Sequence, residues 1–331
     1  MSNLPSLPPP PIEAISHPVV KSASIITAAK LGLFKVIGNK SLSAADLAAT
    51  LNINELGITC LADVLVSANF LKRSEGLYSN SPISLAWLSN SAYSDFTPAI
   101  LWMAEVWHLL QDLPDIVRRG GPVVSTWEKM SPESGKIFSQ YMLALATLFS
   151  EPLVKAVPIK DSYRSLLDLG GSHGLYSIAF CRQHAQLSAT IFDLPSALSN
   201  TPEMISRKKM TERIRIEEGN YLQDEIPTSI DIVFCSALIH NHSPSENISL
   251  FNKIHKSLSL DGVLIIQEFL RTEPPDEFNA VFSLLMLLHS GTRTYTFSEI
   301  SEWLKEAGFS KIILKPSTAT NPQSVICAYK N

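Results

Sequence analysis

The stretch that most constrains this chain of 331 residues is Ser165–Gly174, Ser-Leu-Leu-Asp-Leu-Gly-Gly-Ser-His-Gly. A short apolar run carries a carboxylate, Asp168, near its end. Gly170, Gly171 and Gly174 then permit positive-φ backbone and close approach of a ligand. Leu175–Cys181 follows with a pattern that starts a helix. Strand, glycine turn and helix in that order make a nucleotide-type cradle. Asp193 lies about 20 residues past the turn, at the end of a second apolar strand, Ala189–Leu194, where an acidic side chain accepts hydrogen bonds from ribose hydroxyls.

Charge narrows the nucleotide. A dinucleotide site uses Gly-x-Gly-x-x-Gly to bring a helix N-terminus to a pyrophosphate. Here the spacing runs Gly170, Ser172, Gly174, with Asp168 just before the turn. A carboxylate there repels phosphate and favours a ligand carrying an ammonium and a sulfonium. S-adenosyl-L-methionine has both and no phosphate. The alternatives are a phosphate-bearing cofactor and a glycine turn that binds nothing.

From Ser165 onward apolar strands alternate with helical stretches: Ser165–Leu169, Ala189–Leu194, Arg213–Glu217, Asp231–Leu238, Gly262–Leu270, Lys311–Lys315 and Ser324–Tyr329. The pattern predicts an α/β fold with a Rossmann-like doubly wound sheet. The loop between the last two strands is too short for a parallel crossover, so they are expected as an antiparallel C-terminal hairpin. Ligands of such sheets bind beyond the strand carboxyl ends. The third strand closes with Gly219-Asn220-Tyr221, an amide and a ring suited to an adenine, or simply a polar turn. The fourth ends Ser236-Ala-Leu-Ile-His240-Asn241-His242. A histidine there suits removal of a hydroxyl proton. Two histidines with no carboxylate or cysteine beside them make a poor metal set, so no metal is expected.

The first part of the chain reads differently. Leu4–Pro11 is proline-rich. From Ile12 the pattern turns helical, with Val19, Ala23, Ile26, Ala29 and Leu33 on one face. That face needs a cover, from a second subunit or from its own domain. Ser43 is the expected N-cap of a short helix, Gly57–Asn69 reads as another, and Phe70-Leu-Lys-Arg-Ser-Glu-Gly-Leu-Tyr-Ser as a hairpin wing. The sum is a mostly helical, winged-helix-like domain. A DNA-reading helix carries Arg or Lys; between Asn54 and Asn69 there is none. A dimerisation or lid module fits better than a DNA-binding regulator. Tyr93–Ile159 is helical and rich in large side chains, Trp102 and Met142 among them, broken by Gly120-Gly121-Pro122. These side chains are core or the cover of a flat, apolar acceptor.

Net charge of -4 gives no nucleic-acid footprint. The four cysteines, Cys60, Cys181, Cys235 and Cys327, form no metal or redox spacing and point to a reducing cytoplasm. Neither a signal-peptide pattern nor an apolar run of membrane-span length is expected.

Taken together, Leu167-Asp-Leu-Gly-Gly-Ser-His-Gly174, Phe192-Asp-Leu-Pro195, Gly219-Asn-Tyr221, Leu238-Ile-His-Asn-His242 and Glu306-Ala-Gly-Phe309, behind a winged-helix region, make the chain resemble class I S-adenosylmethionine-dependent methyltransferases of the caffeate and hydroxyindole O-methyltransferase type. The resemblance covers nearly the whole chain. It implies a homodimer, a methyl transfer to a hydroxyl of a small, aromatic secondary metabolite, and no nucleic-acid or membrane partner. It divides the chain into a dimerisation domain (1–100), a helical linker and substrate lid (101–160) and a cofactor domain (161–331). By the same resemblance Gly170 lies against the methionine part of the cofactor and Asp193 holds the ribose. Leu194, Asn220 and Tyr221 frame the adenine, His240 takes the acceptor proton, and Trp102, Met142 and His289 face the acceptor. Asp168 and Ser236 complete the expected cofactor set, Ser236 standing where the family often has Lys.

Departures from the family pattern cluster around the base. Asn241 and His242 replace the usual Asp and Trp. The carboxylates that orient the histidine are missing at Gln267 and in Thr292-Arg-Thr-Tyr295. Glu268 adjoins Gln267 and could substitute, but its side chain should point to the opposite sheet face. The expected consequence is a loosely held imidazole. That leaves a non-methylating reaction, or C- or N-methylation, as alternatives on the same fold.

Overall fold

The computed structural model describes residues 11–89, 95–318 and 323–331. Most of the proline-rich start and Tyr93, read above as the beginning of a helical segment, lie outside them. The chain divides into two compact units, Met1–Trp107 and His108–Asn331.

In the first unit α1 (Ile12–Lys30) and α2 (Leu33–Ile37) are separated at Gly32, whose φ of 70° turns the chain out of the helix. After β1 (Ser41–Leu42), Ser43 caps α3 (Ala44–Leu51) in a reciprocal box: its Oγ accepts from Asp46 N at 3.1 Å, and Asp46 Oδ2 accepts from Ser43 N at 3.2 Å. Asn54 caps α4 (Glu55–Ser67). The wing is the antiparallel pair β2 (Leu71–Ser74) and β3 (Leu77–Asn80), with β1 added to the far side of β3. Leu33, Phe34, Ile37, Leu47, Ile58, Leu65 and Tyr78 form its core. The expected apolar face is therefore only partly used at home: Ala29 and Leu33 are buried, whereas Ile12, Ile15, Val19 and Val20 are exposed. Two further helices follow, α5 (Pro82–Trp87) and α6 (Thr97–Leu109).

The second unit opens with α7 (Leu113–Arg119), α8 (Thr126–Lys129) and α9 (Pro132–Ala156). Contrary to the sequence expectation, α9 is long and apolar enough to cross a membrane by length and composition. The bent pair α3–α4 passes the same test if counted as one span. Ala146, Leu153 and Val154 of α9 instead lie in the core shared with the sheet and with α10 (Leu175–Gln183).

The sheet has seven strands: β4 (Ser165–Leu169), β5 (Ser188–Asp193), β6 (Ile214–Glu218), β7 (Ile230–Ser236), β8 (Leu258–Glu268), β9 (Lys311–Lys315) and β10 (Ser324–Tyr329). Their spatial order is β6-β5-β4-β7-β8-β10-β9. Pairs from β6 through β8 are parallel, and β10 runs antiparallel to both β8 and β9. The C-terminal hairpin thus exists as predicted, with its second strand inserted next to β8. Both sheet faces are covered, which is why the strands read as continuous apolar runs. Along β7, Ile232 and Phe234 enter one core and Val233 and Cys235 the other, the period of two that a strand imposes. The remaining helices are α11 (Thr201–Arg207), α12 (Pro244–Ser257), α13 (Glu277–Ser290) and α14 (Phe297–Glu306). The chain winds outward through β5 and β6 and then returns to place β7 on the other side of β4. The order reverses between β4 and β7, and in sheets of this kind the region beyond the carboxyl ends at that point is where ligands bind.

Candidate active site

The glycine turn follows the carboxyl end of β4, at that switch point. Gly170 has φ of 73°, and a Cβ there would lie 2.9 Å from Leu238 Cδ1 and 3.8 Å from Tyr221 Cε1. Gly171 has no room for a side chain either, because its Cβ would fall 2.6 Å from the carboxyl carbon of Asp168. Asp168 is 2% exposed and accepts from Ser177 Oγ at 2.7 Å. Burial pushes its carboxyl up to about 7 against that hydrogen bond, and the nearby Asp193 charge adds to the rise. Asp193, at the end of β5, accepts from Ser172 N at 3.0 Å and Leu194 N at 2.8 Å, and its pKa too is raised by burial. Ser172 holds φ of 38°, a conformation natural to glycine. Leu194 is 44% exposed beside Asp193.

The loop after β6 brings Tyr221 to the same turn. Its hydroxyl lies 2.9 Å from His242 Nε2. Asn220 is used locally: its Oδ1 accepts from Leu222 N at 3.0 Å while its own N donates to Asp224 Oδ2 at 2.7 Å. Ser236, at the end of β7, donates to Gln267 Oε1 at 3.0 Å, and Gln267 Nε2 donates to Gln323 Oε1 at 2.8 Å.

His240 is better held than its sequence context suggests. Its Nδ1 lies 2.7 Å from Glu268 Oε1, with both side chains buried. Phe269 N also donates to Oε1 at 2.8 Å. The expectation of a loosely held imidazole is overturned, and the reason is local. The strand stops at Ser236, Ala237 adopts φ of 51°, and Ile239–Asn241 form a 3-10 turn rather than an extended end. The chain thereby doubles back and presents the ring to the carboxylate that alternation put opposite Gln267. Because a carboxylate only accepts, Nδ1 carries the proton and Nε2 is the basic atom of the neutral ring. Thr292, standing at one of the missing carboxylate positions, donates from Oγ1 to the His240 carbonyl at 2.5 Å.

An aromatic wall adjoins this pair. The ring of Phe282 meets His240 edge-on at 5.1 Å, and Phe269 and Phe278 pack on Phe282 at 5.0 and 5.6 Å. His289, buried on α13, stacks on Trp127 at 5.3 Å, and burial followed by the His240 charge lowers its pKa to about 4. Met142 is half-buried on α9, and none of these contacts joins it to His240. Trp102 belongs to the first unit, where it is buried. The roles of Thr292 and Phe282 escape sequence reading because each depends on the turn after β7, and for the same reason Glu268 enters there only as a substitute aimed at the other sheet face. The alternation of β8 is the one signal that already set Glu268 apart from Gln267.

These residues fit S-adenosyl-L-methionine. The glycines let the backbone itself form the turn where neighbouring side chains leave no room for a Cβ, and two buried carboxylates flank it. Neither is paired with Lys or Arg among the described residues. Such a donor set suits a cation and opposes a pyrophosphate.

Comparisons with known proteins agree. Residues 105–310 match an O-methyltransferase domain and residues 14–90 an O-methyltransferase dimerisation domain. A 3-hydroxy-5-methyl-1-naphthoate 3-O-methyltransferase from Streptomyces sahachiroi is 26% identical over 302 residues, covering 88% of this chain and 87% of its own. The tetracenomycin polyketide synthesis 8-O-methyl transferase of Streptomyces glaucescens is 27% identical over 315 residues, covering 88% of each. A solved structure from Nostoc punctiforme, assigned as an O-methyltransferase, superposes with a TM-score of 0.87 at 25% identity and covers 98% of this chain and 100% of its own.

Proposed function

The chain belongs to the S-adenosylmethionine-dependent O-methyltransferase family, and we propose that its acceptor is a hydroxyl of a small, largely apolar aromatic metabolite, with His240 as the base. When bound, S-adenosyl-L-methionine supplies the electrophilic methyl group. Gly170, Leu194, Asn220 and Tyr221, together with Asp168, Asp193 and Ser236, are the residues we assign to hold it.

The observation that carries the reading is the contact of His240 Nδ1 with Glu268. It leaves Nε2 to accept the hydroxyl proton and places a carboxylate against the imidazolium that forms. A phenol, with a pKa of about 10, gains from such a base at neutral pH. Collinear placement of the reacting atoms supplies the rest of the acceleration. The Phe269, Phe278 and Phe282 rings beside His240 favour a flat apolar acceptor, and Trp102, Met142 and His289 are the further acceptor contacts we assign. The ground for a non-methylating reaction was a loosely held histidine, and that ground is gone. The functional division we assign is dimerisation over 1–100, a lid over 101–160 and cofactor binding over 161–331, in a cytoplasmic homodimer.

A mass-spectrometric screen of candidate phenols with methyl-labelled cofactor tests the reading. Label on oxygen with equimolar S-adenosylhomocysteine is the expected result. Label on carbon or nitrogen would remove the hydroxyl assignment, and product without label would reject methyl transfer.

A further inference from the structure

His242 stands one turn from the base yet takes no part in the chemistry assigned to it. Its carbonyl accepts from Tyr295 Oη at 2.6 Å and from Asn247 Nδ2 at 3.2 Å. Asn247 is fully buried on α12 and also bonds the Ile239 carbonyl at 3.1 Å. The backbone at His242 is therefore fixed from two separate elements. Its ring meets Tyr221 edge-on at 5.6 Å, with Nε2 at 2.9 Å from the phenol oxygen.

Tyr221 needs such a tether. Its loop is anchored through main-chain carbonyls, those of Tyr221 and Leu222 accepting from Lys253 Nζ at 3.0 and 3.2 Å. Those bonds fix the backbone and leave the side-chain torsions free. The bond to His242 is the polar contact that fixes the ring, whose edge overhangs the Gly170 turn. Burial lowers the His242 pKa to about 4, against the Glu246 charge and with the His240 charge, so the ring is neutral where the enzyme works.

We propose that His242 is a positioning residue for the cofactor: it locks the Tyr221 ring over the glycine turn as one wall of the nucleoside pocket. This rests on the assignment of Tyr221 to the cofactor site. The ring also packs against the core beside β7 and β8, so the tether removes the torsional freedom that this apolar contact leaves, a freedom otherwise given up on binding.

The test is calorimetry of S-adenosylhomocysteine binding, joined to steady-state kinetics with an acceptor that the enzyme methylates. Tyr221→Phe, which keeps the ring, and His242→Phe should each weaken binding by about 3–10-fold, the cost of ordering one side chain. The double variant should be no weaker than either single one, because both remove the same bond. KM for the cofactor should rise by a larger factor than kcat at saturation falls. His242→Gln, whose amide reaches the phenol as Nε2 does, should restore affinity.

Wild-type affinity in both Phe variants, or additive losses, would overturn the tether. If His242→Phe does not fold, the isosteric Tyr221→Phe decides alone. Tyr221→Ala separates the two levels. Unchanged affinity there removes Tyr221 from the cofactor site altogether, whereas a loss in Tyr221→Ala with none in the Phe variants rejects only the role of His242.

Discussion

Nδ1 of His240 lies 2.7 Å from Oε1 of Glu268, the carboxylate arriving from the last residue of β8 and the imidazole from the 3-10 turn after β7. One ring nitrogen is thereby committed to orientation and the other is free for proton transfer.

Replacing either partner should reveal that division. His240→Gln should lower kcat by about 10²–10⁴-fold with cofactor affinity nearly intact. Glu268→Gln should cost a similar factor, since an amide can donate to Nδ1 and reverse the tautomer. The double variant should be no slower than His240→Gln. Single-turnover kinetics with saturating cofactor checks this, and additive losses would mean the two residues act separately.

Asp193→Ala should weaken S-adenosylmethionine binding by roughly 2–4 kcal/mol, or about 30–1,000-fold, as two ribose hydroxyls lose a charged acceptor. Calorimetry showing unchanged affinity would remove this carboxylate from the site.

Asp168 predicts a pH dependence whose sign follows from burial. Its carboxyl is raised from 3.8 to about 7 in the folded chain. The stability this contributes is fully present below 3.8 and is lost as pH rises through about 7. The free protein should therefore melt lower at about pH 8 than at about pH 6, and Asp168→Asn should flatten that difference. A cationic ligand favours the ionised form, so binding at about pH 6 should release protons. Titration calorimetry in two buffers of different ionisation enthalpy measures that release; its absence in the wild type would sever Asp168 from the cofactor.

The dimer prediction concerns α1. Ile12, Ile15, Val19 and Val20 are 65%, 61%, 48% and 53% exposed, an apolar stripe left uncovered within the first unit. Deleting residues 1–40 would be a poor test, because Leu33, Phe34 and Ile37 belong to that unit's core. The double variant Ile15→Glu/Val19→Lys leaves the core intact and should shift a dimer to monomer by light scattering. A monomeric wild type at micromolar concentration would refute the assembly.

Much of this architecture is legible along the chain. The edges of β4, β9 and β10 coincide with the apolar runs, and the short loop before β10 already requires an antiparallel hairpin. The Ser43 cap and the wing follow from local chemistry alone. Helix α9 shows the converse. Its apolar content is evident only when the full 25-residue helix is known, because polar residues interrupt the run as read linearly.

The sequence by itself determined the glycine turn, the two carboxylates at strand ends, the doubly wound sheet and the histidine after the fourth parallel strand, since each rests on spacing within one or two neighbouring elements. Only the tertiary structure decided what holds that histidine. Strand alternation says which face Glu268 takes, but which face His240 takes depends on where β7 stops. That is decided by the left-handed backbone of Ala237 and by contacts reaching the turn from α12 and from the segment after α13. The second of those contacts joins residues more than fifty positions apart, Thr292 and His240. No local pattern carries that information, because their meeting is a consequence of packing.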